Sequence, residues 1–381
     1  MTSNTFQSTS DRAVLSEAPK SRVAFLVNGD PQSAAAFRAR SLAAYLDSQC
    51  RITVAYRTGN KSAAIFRFFR FLCDKKPQIT YVVDMAYSGM IAGFLYKLLF
   101  RNRLIVDTGD SIHALARSMG RSRLGLAATW LLESCSLHFS DQLVVRGTVH
   151  KERLLSQGIE AEVIQDGVET ELFQPTDVTD LRRSYGLHDA LTIGLVGSIT
   201  WNSRLQMCYG SELVEALSLL RDIPVKGVII GDGSGLERLK QDAVKCGVAD
   251  KILFLGRIAY PELPQYLNLI DICLSTQSND AVGQVRTTGK LPLYLATGRY
   301  ILASRVGEAA LVLPSEMLVD YNNVKDPQYP YRLALKIREA FRNRQAIQVT
   351  ETSRQLAVQH FDYALLAGRL SVVLTTSLKT S

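Results

Sequence analysis

Cations, hydroxyl groups and small residues are concentrated in residues 284–304, which read QVRTTGKLPLYLATGRYILAS. This stretch contains no aspartate and no glutamate. Directly before an apolar helical run it offers charged, hydroxyl and backbone amide groups, at Arg286, Thr287, Thr288, Gly289 and Lys290. Such groups can stabilise negative charge that develops on oxygen when a bond breaks. The stretch is therefore our first candidate for a reactive site that binds an anion.

Other candidate groups lie in loops that follow apolar runs. Asp110 and His113 stand in VDTGDSIHALARS, the segment richest in titratable residues. A carboxylate such as Asp110 can orient the hydroxyl groups of a ligand, or it can cap the helix that follows. Gly29, after the first strand-like run, permits a close approach of the backbone to a ligand. Arg204 offers a planar guanidinium group suited to phosphate, or it is a solvated loop residue.

Several other chemistries lack their defining residues. The chain has no G-x-S-x-G, H-E-x-x-H or G-x-x-x-x-G-K-[ST] pattern, which argues against hydrolases with a nucleophile elbow, zinc peptidases and P-loop enzymes. Its histidines and six cysteines show no metal-ligand spacing and no C-x-x-C pair. We therefore expect no metal, no cofactor and no disulfide framework, and the cysteines favour a reducing cytoplasm.

Length and composition predict a globular protein with two domains. The chain has 381 residues, of which 47% are hydrophobic and 21% charged, which is enough for two cores of ordinary size. Residues 1–21 are polar and lack the apolar core of a signal peptide, so they predict a disordered tail and a protein that is not exported. The apolar run SGMIAGFLYKLLF is too short to span a bilayer and predicts a buried helix.

Strand-like and helical runs alternate in both halves of the chain. The first half opens with RVAFLVNGD and SAAAFRARSLAAYL, and the second with LTIGLVGSI and SELVEALSLLR. This alternation predicts an α/β protein with two doubly wound parallel sheets, whose ligands bind at the carboxyl ends of the strands. We assign residues 22–187 to the first domain and residues 188–355 to the second. Residues 356–381 predict a helix that crosses back to the first domain.

Several segments of the second half carry a resemblance to a known family. The runs IIGDGSGLERL, VADKILFLGRI, PELPQYLNLIDICLSTQ and GKLPLYLATGRYILAS follow one another as in the retaining GT-B glycosyltransferases of family four. The segment VIQDGVETELFQP resembles the interdomain segment of that family, with Asp166 in place of the usual asparagine. The resemblance covers residues 160–305 well, and the first domain by topology only.

This resemblance implies a GT-B fold, in which two Rossmann-like domains face a central cleft. It also implies a metal-independent enzyme that moves a sugar from a nucleoside diphosphate to an acceptor hydroxyl group with retention of configuration. The donor would bind mainly to the second domain and the acceptor to the first. Arg204 and Lys290 would hold the diphosphate, and Asp110 would orient the sugar. Further donor contacts would come from Gly29, Gln284, Thr287, Thr288, Gly289, Arg257 and Ile258.

The sequence departs from the family at two acidic positions. The family has two glutamates eight positions apart, which align with Val285 and Leu293 here. In the family the first contacts the donor sugar and the second holds the ribose. Gln284 is the nearest polar substitute for the first, and Leu293 has none. Two alternatives to a transferase follow, namely a GT-B protein that binds a sugar nucleotide or a protein partner without turnover, and a sugar-nucleotide epimerase.

Basic residues predict an anionic neighbour for the first domain. Residues 51–123 contain thirteen Lys or Arg and four acids. The run IFRFFRFLCDKK predicts either a core helix with charged flanks or an interfacial helix at an anionic membrane, which LYKLLFRNR would extend. We find no nucleic-acid motif. The candidate acceptors are therefore lipid-linked molecules or polysaccharides, at the inner face of the membrane.

Overall fold

The computed structural model describes residues 20–47, 49–85, 87–348 and 351–379. The predicted tail at residues 1–21 therefore lies outside the described residues, except that Lys20 is described and the first strand already begins at Ser21.

The first domain is a parallel sheet of six strands with helices on both faces. The strand order is β2-β1-β3-β4-β5-β6, and each neighbouring pair is parallel. Strand β3 reads ITYVV and is buried throughout, as expected of a strand that is covered on both faces. In chain order the elements are β1 (Ser21–Val27), α1 (Ala34–Leu46), β2 (Cys50–Tyr56), α2 (Lys61–Lys75), β3 (Ile79–Val83), α3 (Tyr87–Phe100), β4 (Arg103–Thr108), α4 (Ile112–Ser118), α5 (Arg123–Phe139), β5 (Gln142–Val145), α6 (Thr148–Leu155) and β6 (Glu162–Val163).

The second domain repeats this design. Its parallel sheet has the order β11-β10-β7-β12-β13-β14, and a short antiparallel hairpin, β8–β9, follows its central strand. The elements are α7 (Thr179–Ser184), β7 (Leu191–Val196), β8 (Trp201–Asn202), β9 (Met207–Cys208), α8 (Ser211–Ser218), β10 (Val225–Ile230), α9 (Leu236–Lys245), β11 (Ile252–Gly256), α10 (Leu263–Leu267), β12 (Ile272–Ser275), α11 (Ala281–Val285), α12 (Lys290–Ala296), β13 (Tyr300–Ser304), α13 (Gly307–Val312), β14 (Leu318–Val319), α14 (Tyr329–Arg342), α15 (Glu351–His360) and α16 (Tyr363–Lys379).

The segment between the two sheets packs with the second domain, although the sequence predicted it as the end of the first. Val168, Phe173 and Leu187 are buried in an apolar cluster with residues of β12 and β13. The sequence did not show that this segment contributes to the core of the second domain. Most of its residues are polar, and only a few apolar ones, such as these three, reach the core. By packing, the second domain therefore begins near Val168 rather than at residue 188.

The chain returns to the first domain between α15 and α16. Ala357 of α15 is buried in the core of the second domain, and Leu366 and Leu370 of α16 are buried against α1 in the first. The return therefore occurs at residues 361–362, a few residues later than the predicted start at residue 356. At this return the chain lies beside the segment that first passes from the first domain to the second, since the amide of Val168 donates to the carbonyl of Phe361 at 2.8 Å.

The apolar faces of the first domain differ in how well they are covered. On α2, Phe68 is buried and only Phe66 among the phenylalanines of this helix is largely exposed. Of the two predicted alternatives, the core helix with charged flanks therefore fits α2 better than the interfacial helix. On α3, Leu98 and Leu99 are 73% and 66% exposed. Within the described part of the chain, no helix is both long and apolar enough to cross a membrane.

Candidate active site

The loop between α11 and α12 lies at the centre of the candidate site. Asp280 fixes the start of α11, because its Oδ1 accepts from the amides of Val282 and Gly283 at 3.2 and 2.9 Å. Helix α12 follows at Lys290, and its buried Leu291 and Tyr294 anchor it in the core. Residues 286–289 are therefore held between two fixed helices.

Lys290 has no carboxylate partner within 4 Å among the described residues. Its Nζ lies 3.4 Å from the centre of the Tyr209 ring. The Cε of Lys290 would lie only 2.9 Å from a Cβ at Gly197, so the observed position of the lysine side chain requires a glycine at residue 197. Burial, and secondarily the nearby Arg286, lower the pKa of Lys290 to about 7. An incoming anion would therefore stabilise the charged form of this lysine.

Arg286 and Asp110 join the two domains across the cleft. The Nε and Nη2 of Arg286 lie 2.7 and 3.3 Å from the two carboxylate oxygens of Asp110. Asp110 does not cap helix α4, because the amides of Ile112 and His113 donate to the carboxylate of Glu133 instead, each at 2.9 Å. The pair places Asp110 directly beside the 286–289 loop.

Two cavities meet at Ser198 on the cleft side of the second domain. One, of about 460 Å³, is lined by Arg286, Thr288, Gly289 and Lys290 among others. The other, of about 430 Å³, is lined by Arg257 and Ile258 and by the glycines of the loop after β10. The structure thus places six of the residues singled out in the sequence on two neighbouring cavities, of a combined size that suits a small ligand.

The glycines of the loop after β10 have a packing role of their own. A Cβ at Gly231 would lie 1.9 Å from the carbonyl oxygen of Gly197, and one at Gly233 would lie 2.5 Å from that of Ile199. Both have a positive φ, 144° and 153°. The loops after β7 and β10 can therefore touch only because these positions lack side chains.

Gln284, Thr287 and Gly29 lie outside the two cavities. The side chain of Gln284 is bonded at both ends, donating to Asn279 Oδ1 at 2.8 Å and accepting from the amide of Gly307 at 3.1 Å. Thr287 faces the first domain, where its Oγ1 lies 3.5 Å from Asp166 Oδ2. Gly29 is buried in the loop before α1, where a Cβ would meet Ser33 Oγ at 2.4 Å.

Arg204 lies apart from Lys290. It is exposed on the β8–β9 hairpin, where its Nη1 donates to the backbone carbonyl of Arg117 at 3.4 Å. It lines a third cavity, which lies between the domains, together with Arg117 and Arg153. The resemblance implied that Arg204 holds the diphosphate together with Lys290, but Arg204 lines the third cavity and not the one that Lys290 lines.

Glu212 is a site residue that the sequence analysis missed. It lines the 460 Å³ cavity and is 7% exposed, and Tyr321 donates to its Oε1 at 3.4 Å. Burial raises the pKa of Glu212 to about 7. In the sequence it is one of two glutamates in an ordinary amphipathic helix, SELVEALS, so no pattern distinguished it.

A buried charge network lies beneath the cleft in the first domain. Asp107 is fully buried and accepts from Arg38 Nε at 2.7 Å, Tyr81 Oη at 2.9 Å and Arg146 Nε at 3.1 Å. Burial alone would raise the pKa of Asp107, but the two guanidinium groups outweigh it and lower that pKa. Arg146 also pairs with Asp84, and both arginines lie 3.5 Å from Asp166 Oδ1.

A second interdomain contact lies at the start of α6. Glu308 accepts from the amide and the hydroxyl of Thr148 at 2.7 and 3.1 Å, and so caps that helix from the other domain. A Cβ at the preceding Gly147 would lie 2.7 Å from Thr287 Cγ2. The two domains therefore touch closely on this side of the 286–289 loop.

Comparison with known proteins assigns the second domain to a family. Residues 190–340 match the family model described as "Glycosyl transferases group 1". The chain is similar to the GDP-mannose-dependent alpha-(1-6)-phosphatidylinositol monomannoside mannosyltransferase of Mycobacterium tuberculosis, with 37% identity over 117 residues. That match covers 29% of this chain and spans only 29% of the relative.

Solved structures resemble the chain over almost its whole length. Sucrose-phosphate synthase from Thermosynechococcus elongatus superposes with a TM-score of 0.74 at 14% identity, covering 95% of this chain and all of that one. The Anabaena Alr3699/HepE protein in complex with UDP and glucose gives a TM-score of 0.71 at 16% identity, covering 93% and 100%. At such identities the likeness establishes the fold, and the predicted GT-B architecture is confirmed.

Proposed function

We propose that this chain, whose residues 190–340 form a glycosyl transferases group 1 domain, transfers a sugar from a nucleoside diphosphate sugar to an acceptor hydroxyl group. The observation that supports this proposal most is the position of Lys290, which lines the cavity beside the interdomain cleft. Among the described residues, it has no carboxylate partner within 4 Å. The Mycobacterium relative is named for a GDP-mannose donor, and the Anabaena structure holds UDP and glucose. Both names favour a nucleotide-sugar donor here.

The two cavities suggest how the donor would be divided. The nucleoside would occupy the cavity at Arg257 and Ile258, and the diphosphate would pass Ser198 to reach Lys290. Thr288 and Gly289 line the same cavity and would supply a hydroxyl and a backbone amide. The glycosyl group would then lie near Arg286 and its partner Asp110.

The proposed reaction needs no metal, because fixed cations take over the stabilisation of charge. As the bond between the anomeric carbon and the diphosphate oxygen breaks, negative charge develops on that oxygen, where Lys290 and Arg286 stabilise it. The acceptor hydroxyl attacks the face that the leaving group vacates, so configuration is retained. Its proton passes to an oxygen of the departing diphosphate.

Donor hydrolysis tests this proposal without knowledge of the acceptor. Each of a panel of nucleoside diphosphate sugars is incubated with the protein, and release of nucleoside diphosphate is measured. We expect slow release from one donor, and a loss of about 10²-fold or more in Lys290→Ala, as for removal of one stabilising group at a developing oxyanion. Lys240→Ala is the matched control, because Lys240 is half-buried on α9, pairs with Glu237 and lines neither cavity.

The outcomes separate the transferase from the binding protein. Donors that bind tightly without any release, with every acceptor tried, would contradict the transferase and favour a protein that binds sugar nucleotides without turnover. The altered acidic positions motivate that alternative, since Val285 is buried and Leu293 packs against the core of the second domain.

We also propose a peripheral contact with the inner face of an anionic membrane, made by α3 rather than α2. The exposed Leu98, Leu99 and Phe100 stand beside the exposed Arg101 at the end of α3. All six cysteines are free, which fits a reducing cytoplasm. Flotation with anionic vesicles tests the contact, and Leu98→Ser/Leu99→Ser should abolish it while Arg67→Gln/Arg70→Gln weakens it less. Equal flotation of the leucine variant and the parent would overturn it.

A further inference from the structure

A third cavity, of about 440 Å³, lies between the two domains next to the donor cavity. The two share Leu205, Val282 and Val324 in their linings, so they are neighbours on either side of α11. The third cavity is lined by both domains, through α4 and α6 of the first and through α11 and the β8–β9 hairpin of the second. It is therefore placed where a second substrate could approach the donor.

Three arginines from three separate elements line this cavity. Arg117 belongs to α4, Arg153 to α6 and Arg204 to the loop of the β8–β9 hairpin. Arg204 approaches Arg117 closely enough to donate to its carbonyl oxygen at 3.4 Å. The cluster is thus assembled only when the two domains are together.

The charge of this cluster is exposed to solvent rather than paired with acids. Among the residues that the structure describes, no carboxylate lies within 4 Å of any of the three guanidinium groups. Among the described residues of the lining, Asp280 is the only one with a carboxylate, and its Oδ1 already accepts from Ser278 Oγ at 3.0 Å and from the two amides at the start of α11. His113, the other titratable residue of the lining, would add positive charge if it were protonated. Three permanent cations that converge on one cavity favour an anionic occupant.

We propose that this cavity binds a phosphate group carried by the acceptor, an inference that rests on the proposed glycosyl transfer. Guanidinium groups bind phosphate oxygens through paired, charge-assisted hydrogen bonds, and three of them can surround one phosphate. The donor diphosphate is assigned to Lys290, which lines the other cavity. A phosphate held by the arginines would leave the rest of the acceptor free to extend past Val282 toward Arg286.

The test measures binding of phosphate probes while a nucleoside diphosphate fills the donor cavity. UDP and GDP are used in parallel, and glycerol 3-phosphate is the soluble probe. Phosphatidylinositol in phosphatidylcholine vesicles is the membrane probe, with phosphatidylcholine vesicles alone as the blank. The variant is Arg117→Gln/Arg153→Gln/Arg204→Gln. The matched control removes three exposed arginines elsewhere, Arg51→Gln/Arg183→Gln/Arg342→Gln, so both proteins have the same net charge.

We expect the cavity variant to raise the Kd for one of the two probes by about tenfold or more, since hydrogen bonds between charged groups are among the stronger ones. The control should stay within about twofold of the parent, because its three arginines lie outside the cavity and their removal changes only the net charge. A loss in the cavity variant that is confined to the soluble probe indicates a soluble phosphate ester, and a loss confined to the vesicles indicates a lipid headgroup. Neither result requires turnover, so the absence of donor hydrolysis would count against the proposed function only.

Three results would overturn the proposal. The first is that neither probe binds the parent protein. The second is that the cavity variant and the control bind the probes equally. The third is that the cavity variant loses affinity for UDP or GDP to the same extent as for the phosphate probe, since the arginines would then act on the donor.

Discussion

At the strand ends of the first domain the charged side chains pair with one another, whereas in the second domain Lys290 has no carboxylate partner within 4 Å among the described residues. In the first domain, the single carboxylate of Asp107 accepts from three side chains, those of Arg38, Arg146 and Tyr81. Lys290 lies against an aromatic ring instead, and Glu212 has only one long hydrogen bond from a side chain. A network that satisfies its own charges holds a scaffold in shape, while unsatisfied charges in a cavity are available to a ligand. The same kind of residue therefore has a structural role on one side of the cleft and a binding role on the other.

The largest effect should come from breaking the satisfied network. Asp107→Asn leaves the buried Arg38 without its closest carboxylate, and removing one partner of a buried ion pair costs about 3–5 kcal/mol of unfolding free energy. Urea denaturation measures this loss. Asp222→Asn is the control, because Asp222 also binds an arginine through both oxygens but is 61% exposed, and it should lose far less. Equal losses in the two variants would show that the buried network has no special weight.

A smaller effect should come from Glu212, whose raised pKa makes stability depend on pH. The folded protein binds this proton more tightly than the unfolded chain, so the stabilisation is complete below pH 4.5 and is lost as pH rises toward 7. The full loss should be about 3 kcal/mol, since the pKa rises from 4.5 to about 7 and each pKa unit corresponds to about 1.4 kcal/mol. Glu212→Gln should remove this dependence when the free energy of unfolding is compared at pH 5 and pH 8. A variant with the same pH profile as the parent would contradict it.

The smallest signal should come from Lys290, as a change in proton binding when an anion enters the cavity. Its pKa is lowered in the folded state, so the protein gains stability as pH rises from about 7 toward 10.5, and Lys290→Met should lose that gain. Binding of a nucleoside diphosphate should restore the charge. At pH 8 we expect uptake of up to about one proton per site, measured by calorimetry in buffers of different ionisation enthalpy. Uptake that persists in Lys290→Met would place the titrating group elsewhere.

Much of the fold could be predicted from the sequence. The alternation of strand-like and helical runs identified two doubly wound domains, because buried parallel strands require continuous apolar runs such as ITYVV. The division at residue 187 differs from the packing, because Val168 and Phe173 are isolated apolar residues in a polar segment. Which domain buries such residues depends on contacts far away in the chain.

Less of the candidate site could be predicted. Local spacing identified the 286–289 loop and Lys290, because a helix start with cations and hydroxyls is visible within a few residues. Local spacing could not predict which cavity Arg204 lines, since that depends on the direction of the β8–β9 hairpin. It also gave no signal for Glu212, whose side-chain hydrogen bond comes from Tyr321, a residue more than a hundred positions away.

Helix α16 has a consequence for the order in which the protein can form. Leu366, Leu370 and Leu374 are almost completely buried with α1 in the core of the first domain. During synthesis, domains generally fold as they leave the ribosome, with the N-terminal one first. Here the earliest-made sheet must keep its α1 face uncovered until α16 has been translated. The second domain therefore has all of its strands before the first domain can complete its core.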